Sequence, residues 1–531
     1  MRFIKDFLTR ILIDNLVANK GRQTIPQKSI WQLRLLAFIA GLFGTLSFSP
    51  FSFWPAFVVT ISVAIWLLSK TETAKQAFQY GFFLGFGLFA SGVSWVYVSV
   101  VQYGQIGFFL SLLATVLFVS VLAIFYGLAL LLTWWLQTKL PQWPKALLLA
   151  LGFLAAEYTR SHIFTGFPWL LTGYSLHHTW LFELAPIGGI WLLSFLAVLT
   201  FATPLSLLMS FAQQQKVKLH YTVLSVLLVS WGASIYLTLF PAQWVTQTGN
   251  MQATLIQGNI PQDQKWLPNN AQPILDYYLN TSLQHLDSDL IVWPETAVTY
   301  LYSDIKPYLN EFNETLATTN TTVVTGIPVL EREEKGDSFY NAIWALGNGS
   351  GLYFKRHLVP FGEYIPFEAF VGKVLDIFGI PLESFQAGTP NQPMLKVGQA
   401  KIAAFICYEI AYPELVRTMV KGSDILLTVS NDGWFGDSLG PWQHLEIAQF
   451  RAKESGRYLI RSTNTGVTAI IDNQGEIIKT FPQFTRGAMT ADVQLMQGIT
   501  PYVQYGELIV IALVFLLIIL QRVLYRRTNS K

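Results

Sequence analysis

The chain has 531 residues, 52% hydrophobic and 15% aromatic but only 13% charged, where an ordinary soluble protein carries about 25% charged residues. A wholly soluble globule is excluded. The formal net charge of +3 hides an asymmetry: Met1 to Val245 contains five acids (Asp6, Asp14, Glu72, Glu157, Glu183) of the 32 in the chain, leaving 27 for the remainder. The first part is therefore membrane material, and the second contains something that lives in water. Cys407 is the only cysteine, so neither an intrachain disulfide nor a thiol-built zinc site can form. The patterns H-E-x-x-H and G-x-x-x-x-G-K-[ST] are missing too, which removes the main support for metalloprotease and nucleotide functions. Basic residues sit in short clusters beside apolar runs, an arrangement that argues against a nucleic-acid partner.

In chain order, residues 1–32 read as a cytoplasmic segment with an amphipathic interfacial helix; with Asp6 and Asp14 inside the apolar run they lack a compact cleavable signal. A helix needs about 20 apolar residues to cross a ~30 Å hydrocarbon layer. Seven such spans are expected within 33–242: Leu33 to Ser49, Phe51 to Leu68, Gly81 to Val101, Ile106 to Leu136, Ala146 to Tyr158, Ile187 to Phe211 and Val223 to Phe240. An eighth, Glu507 to Leu520, falls in residues 506–531. The segment Ala146 to Tyr158 is short and ends near Glu157 and Arg160, so a re-entrant or interfacial helix is the alternative there. Lys and Arg favour cytoplasmic connections. They cluster before the first span, then at Lys70 and Lys75, Lys139 and Lys145, Lys216 and Lys218, and in the tail at Arg522, Arg526, Arg527 and Lys531. This alternation puts both termini in the cytoplasm and residues 243–505 on the far side of the membrane. That stretch is acidic, with 17 Lys and Arg against 26 Asp and Glu between Gln243 and Gln504.

Short β-branched runs alternate with helical segments in 243–505, which predicts an α/β layered domain. Strands are expected at Gln252 to Gln257, Leu290 to Trp293, Thr322 to Gly326, Asn341 to Leu346, Leu352 to Lys355, Lys401 to Cys407, Ile425 to Ser430, Tyr458 to Ser462 and Thr468 to Ile471. Helices are expected at Pro273 to Leu286 and His444 to Ser455. Three strand ends carry chemistry: Glu295 in Trp293-Pro294-Glu295, Lys355 with Glu363 eight residues on, and Cys407 in Ile406-Cys407-Tyr408-Glu409. Alone, each has a plain structural explanation, a buried small residue or a surface charge. Together they supply a nucleophile, a base and a cation for a developing oxyanion.

In combination, W-P-E, Y-F-K-R-H-L-V-P-F-G-E-Y-I-P and I-C-Y-E resemble the Glu-Lys-Cys constellation of the nitrilase, or carbon–nitrogen hydrolase, superfamily. An exported domain inserted before the last of eight spans resembles, within it, the apolipoprotein N-acyltransferases. Gln257-Gly258-Asn259-Ile260 with Trp266, Tyr340-Asn341, and Ser430 to Gly436 also match. The resemblance implies a multispan helical membrane domain carrying an α-β-β-α sandwich. It implies a phospholipid acyl donor, a Cys407 thioester and transfer to the α-amine of a diacylglyceryl-modified apolipoprotein, at the outer face of a bacterial inner membrane. Glu295, Lys355 and Cys407 would be catalytic. Glu363, Glu409 and a backbone N–H near Tyr408 would support them, Trp266, Asn341 and Trp434 would bind substrate, and no cofactor would be needed. A membrane-tethered amidase acting on a small amide, and a transporter or receptor with a ligand-binding domain, are the competing readings. Finally, the apolar run from Phe361 through Phe367 and Phe370 to Phe378 and Pro381, with Trp434, Phe435 and Trp442, is expected to form a lid toward the membrane, hinged at Gly362, Gly372 and Gly379.

Overall fold

A computed structural model of the chain describes residues 27–104, 107–212, 219–333, 336–366 and 384–529. The amino-terminal interfacial helix, Lys216 with Lys218, and most of the expected lid lie outside the described residues.

The membrane part is built from α1 (Gln27–Gly44), α2 (Pro55–Ser69), α3 (Ala74–Gly92), α4 (Trp95–Tyr103), α5 (Gly107–Lys139), α6 (Lys145–Arg160), α7 (Ala185–Ala212) and α8 (His220–Leu239). Among the described residues, five helices are long and apolar enough to cross a membrane, and six if α3 and α4 count as one bent span. The expected uninterrupted span Gly81 to Val101 is therefore broken: α3 and α4 meet at 58°. Helix α3 starts on a capping box in which Thr73 Oγ1 accepts from Gln76 N–H and the Gln76 side chain accepts from Thr73 N–H. It packs tightly on α1, because Gly87 faces the Phe38 carbonyl where a methyl group would collide with backbone. Helix α6 has 16 residues and lies buried between α5 and α7, so it is part of the bundle and not a surface helix.

The water-soluble part contains two sheets. One has the order β13-β1-β2-β3-β4-β6 and the other β12-β11-β10-β9-β8-β7-β5, with β1 Val245–Gln257, β2 Leu290–Val292, β3 Thr322–Glu333, β4 Gly336–Gly347, β5 Gly349–Ser350, β6 Leu352–Phe354, β7 Leu395–Val397, β8 Ala400–Ile406, β9 Ile425–Ser430, β10 Leu459–Thr463, β11 Thr468–Ile471, β12 Ile477–Phe481 and β13 Gly487–Gly498. Side chains of a strand alternate between faces. Leu290 and Val292 accordingly join a core shared with the second sheet, while Ile291 faces α9 (Pro268–Leu283), α10 (Tyr302–Tyr308) and α11 (Asn310–Thr318). The parallel pairs β1/β2, β2/β3, β8/β9 and β9/β10 bring several carboxyl-terminal strand ends together. Helix α12 (Pro413–Val420) and α13 (Gly440–Ser455) cover the second sheet, and α14 (Leu508–Asn529) returns to the bundle. The arrangement is the expected α-β-β-α sandwich. All nine expected strands form, and the four unexpected ones (β5, β7, β12 and β13) are short or lie at a sheet edge; in β13 polar positions also mask the alternation.

Helix α13 joins the two parts. Every residue except Trp442 is buried, and its polar side chains find partners in the membrane part. Gln443 Oε1 accepts the indole N–H of Trp95 at 3.2 Å and of Trp169 at 2.7 Å, while its amide donates to Gly92 O at 2.9 Å. That carbonyl is free because the break after α3 diverts Val96 N–H to Val93 O. Likewise Gly189 kinks α7, and Glu454 accepts Ile190 N–H there at 2.7 Å. Lys453 pairs with Glu183 at 2.8 Å. Replacing Gln443 by Leu should strand two indole donors and one carbonyl, at roughly 1–3 kcal/mol for each group left unpaired. A clearly lowered melting temperature in detergent is expected, and an unchanged one would place the joint elsewhere.

Candidate active site

Glu295 follows β2 and Pro294. The strand end is pinned by Trp293, whose indole donates to Ser282 Oγ at 2.9 Å and stacks on Tyr278. Glu295 Oε1 accepts from Asn341 Nδ2 at 2.8 Å and Oε2 from Asn431 N–H at 2.7 Å. The main chain of β3 lies directly beneath: a side chain at Gly326 would strike the backbone of Glu295 and Thr296. Lys355 follows β6 and is 1% exposed. Its Nζ donates to Glu363 Oε1 at 2.7 Å and stands 3.6 Å from Glu295 Oε1. Glu363 is held in turn by Val359 N–H at 2.9 Å and Asn341 Nδ2 at 3.2 Å.

Cys407 follows β8 and is half-buried. Its φ of +51° is a left-handed conformation that non-glycine residues adopt only when their surroundings impose it. Glu409, fully buried, is one cause. It accepts Ile406 N–H at 2.7 Å, Arg356 N–H at 2.7 Å and His357 N–H at 3.1 Å, and Tyr353 O–H at 3.0 Å. This single carboxylate ties the Cys407 turn to the loop that carries Lys355.

The charges explain one another. Burial alone would favour a neutral amine on Lys355, but the Glu363 and Glu295 carboxylates hold its pKa well above the usual lysine value. Burial and the Glu295 carboxylate push the Cys407 thiol up, against the opposing pull of Lys355 and a hydrogen bond from Ser430. Two carboxylates and one ammonium already leave an excess negative charge, so a resting thiolate is disfavoured. Glu295 is the carboxylate whose charge opposes the thiolate. Burial together with the Lys355 cation lowers His357 to about 4, so that ring is neutral at pH 7. Alkylation of Cys407 by iodoacetamide, which needs the thiolate, should therefore keep accelerating up to pH 9. A plateau below pH 7 would mean a stored thiolate and contradict this balance.

The sequence-predicted residues Glu295, Lys355, Cys407, Glu363, Glu409 and Asn341 converge. Asn341, expected to bind substrate, donates to both Glu295 and Glu363. Tyr408 turns its ring toward Phe167 and Trp169 of the membrane part, and its hydroxyl donates to Gly166 O at 3.3 Å. Trp266 is 49% exposed beside the site. Its neighbour Lys265 is the buried one, with Nζ donating to Glu295 O at 3.0 Å and to Thr296 Oγ1 at 2.6 Å. Burial lowers Lys265 to about 8, against the raising effect of Glu295. Trp434 lies at the joint, its carbonyl accepting from Ser99 Oγ at 2.7 Å. Phe435 does not belong to a free lid: it is buried edge-on against Trp95, ring centres 4.6 Å apart. Phe361 is exposed and Gly362 N–H bonds Val359 O, while Phe367, Phe370, Gly372, Phe378, Gly379 and Pro381 lie outside the described residues.

Sequence reasoning missed Lys265, the Asn431 N–H and Arg160. The guanidinium of Arg160 donates to Phe167 O at 2.8 Å and Trp169 O at 2.7 Å, fixing the aromatic wall that meets Tyr408. The available signal was its isolation, apart from the paired Lys and Arg clusters of the first half. Among the described residues no group of three His, Cys, Asp or Glu could hold a metal ion.

Residues 252–499 match the carbon-nitrogen hydrolase family and residues 40–203 the apolipoprotein N-acyltransferase N-terminal domain. Apolipoprotein N-acyltransferase of Pseudomonas aeruginosa strain PAO1 is 41% identical over 478 residues, covering 90% of this chain and 92% of its own. That of Shewanella oneidensis is 37% identical, covering 92% and 95%. Among solved structures, a carbon-nitrogen hydrolase of Helicobacter pylori is similar to 46% of this chain and 89% of its own, at 18% identity and a TM-score of 0.34. On the likeness to its curated relatives, which runs through both the membrane and the water-soluble parts, the chain belongs to the apolipoprotein N-acyltransferase family.

Proposed function

We propose that this chain transfers an acyl group from a membrane phospholipid to the α-amine of a lipoprotein's amino-terminal diacylglyceryl-cysteine, with Cys407 carrying the acyl group between them. Glu295 accepts the thiol proton as sulfur attacks an ester carbonyl of the phospholipid. The tetrahedral intermediate collapses by breaking the ester C–O bond, and the departing lysophospholipid oxygen takes the proton back from Glu295. The incoming amine, in its neutral form, then attacks the thioester. It gives a proton to Glu295, the C–S bond breaks, and the thiolate is reprotonated.

In both steps negative charge develops on the former carbonyl oxygen, where the buried Lys355 cation and a backbone N–H near Tyr408 would receive it. Glu363 and Asn341 keep Lys355 and Glu295 apart in role: Glu363 takes the shorter contact with the ammonium and Asn341 donates to both acids. Trp266 and Trp434 are placed to meet acyl chains or head groups at the rim.

The observation that carries this reading is the aromatic wall. Tyr408, adjacent to the thiol, packs on Phe167 and Trp169, so the reacting sulfur sits where the hydrolase-like domain meets the membrane part. A soluble amide substrate would have no use for that wall. The basic clusters at Arg34, Lys70, Lys75, Lys139, Lys145 and Arg522 to Arg527 occupy helix ends remote in sequence order from the catalytic insertion, which supports a cytoplasmic position for them and a periplasmic position for residues 243–505.

Purified protein in detergent with labelled phosphatidylethanolamine and a diacylglyceryl-cysteine peptide tests the roles. Glu295→Gln should abolish both half-reactions. Lys355→Met should slow both by about 10²–10³-fold, the scale of losing one oxyanion donor, while the melting temperature falls little. Full activity in either variant would remove that residue from the mechanism.

A further inference from the structure

Against the main chain of Cys407 lies a second polar assembly that the acyl-transfer scheme does not use. Asp432, Arg461 and His444 are all fully buried, a costly placement unless their hydrogen bonds are satisfied. Arg461 NH2 donates to Asp432 Oδ2 at 2.6 Å and lies 3.1 Å from His444 Nδ1. Ser430 Oγ donates to Asp432 Oδ1 at 2.6 Å, and the Ser430 side chain also reaches the Cys407 thiol. On its other side His444 Nε2 is 3.1 Å from the carbonyl oxygen of Cys407.

The tautomer follows from the partners. Nδ1 of His444 lies 3.1 Å from Arg461 NH2, which can only donate, and 3.4 Å from Asp432 Oδ1; the closer donor makes Nδ1 the acceptor of a neutral ring, and the ring proton sits on Nε2. There it faces a carbonyl, which has only lone pairs to offer. The result is an oriented chain, Asp432 to Arg461 to His444 to Cys407 O, that ends on the main chain of the nucleophile. Cys407 is also the residue whose backbone is held at φ +51°. A left-handed non-glycine residue is strained, and a hydrogen bond to its carbonyl is a direct way to hold it.

The same helix turn is fixed from the other direction. Gln443, adjacent to His444, takes the indole donors of Trp95 and Trp169 and returns its amide to Gly92 O. The Trp169 ring also lies 5.6 Å from the His444 ring, centre to centre. We infer that His444 is a positioning residue for acyl transfer: its Nε2–H holds the Cys407 carbonyl, and with it the thiol, in the attacking orientation, on a helix turn whose place is set by the membrane domain. The inference rests on Cys407 being the nucleophile.

Two amide isosteres separate the roles of the ring. His444→Gln places an N–H near the Nε2 position; His444→Asn offers polar atoms only near Nδ1; His444→Ala removes both. The assay is transfer from labelled phosphatidylethanolamine to a diacylglyceryl-cysteine peptide in detergent, with the melting temperature of each variant. His444→Ala and His444→Asn should lose at least tenfold in kcat with KM for the phospholipid within about twofold, and His444→Gln should recover most of the loss. His444→Ala within threefold of the parent, or His444→Asn outperforming a folded His444→Gln, would overturn the inference. A fall in KM and kcat together in all three, tracking melting temperature, would reduce His444 to packing and overturn it equally. Cys407→Ala, run alongside, reports on the nucleophile: transfer retained there sinks that reading separately.

Discussion

A single side-chain amide, that of Gln443, closes three buried polar groups at the point where the bundle meets the sandwich. The rest of the architecture depends on that closure. A break in a membrane helix exposes a carbonyl that lipid cannot satisfy, and Gly92 O would be such a group without the amide. The Gly189 kink releases Ile190 N–H, and Glu454 of the same helix takes it. Thus both irregularities of the bundle are filled by one helix of the water-soluble domain. The two parts are not a domain and its anchor. They are one folding unit whose joint is made of hydrogen bonds between buried polar groups, which are geometrically demanding and so fix orientation.

That rigidity has a chemical use. An acyl chain arriving from lipid cannot be held by many polar contacts, so precision must reside in the protein. The aromatic wall of Phe167 and Trp169 is fixed by Arg160 from within the bundle, and it meets Tyr408 one residue from the thiol. On the catalytic side Glu409 locks the Cys407 turn to the Lys355 loop. The sulfur is therefore referenced to both parts at once. Its acidity is not stored: burial and the Glu295 carboxylate push the Cys407 thiol up, so under the proposed mechanism the proton leaves only as sulfur attacks. A neutral resting thiol also suits a thioester carrier, because it is less open to adventitious oxidation.

Much of this was legible in the sequence. The strand ends bearing Glu295, Lys355 and Cys407 follow continuous apolar runs, so their register and their polar termini could be read directly. The charge alternation located the helices of the bundle. What could not be read is tertiary in origin. The break falls at Ser91-Gly92-Val93-Ser94 within a longer apolar segment, and the partner of the carbonyl it frees is the distant Gln443. Lys265 and Trp266 are neighbours with opposite burial, because the strand-to-helix turn points one inward and one outward; the aromatic residue drew notice while the lysine carries the contact to Glu295. Helix α13 looks like an ordinary polar surface helix by composition, and its near-complete burial follows only from partners hundreds of residues away. Asn341 was legible as a site residue, but its bonds to Glu295 and Glu363 were not, because those acids come from distant segments of the chain.

The central claim is that the acyl group resides covalently on Cys407 between donor and acceptor. Protein incubated with phosphatidylethanolamine alone, quenched in acid and digested, should yield the Cys407 peptide carrying one acyl chain, releasable by neutral hydroxylamine and discharged within one turnover when a diacylglyceryl-cysteine peptide is added before the quench. Transfer proceeding at the normal rate with no acylated Cys407 peptide, or an acylated species that the amine fails to discharge, would contradict the account.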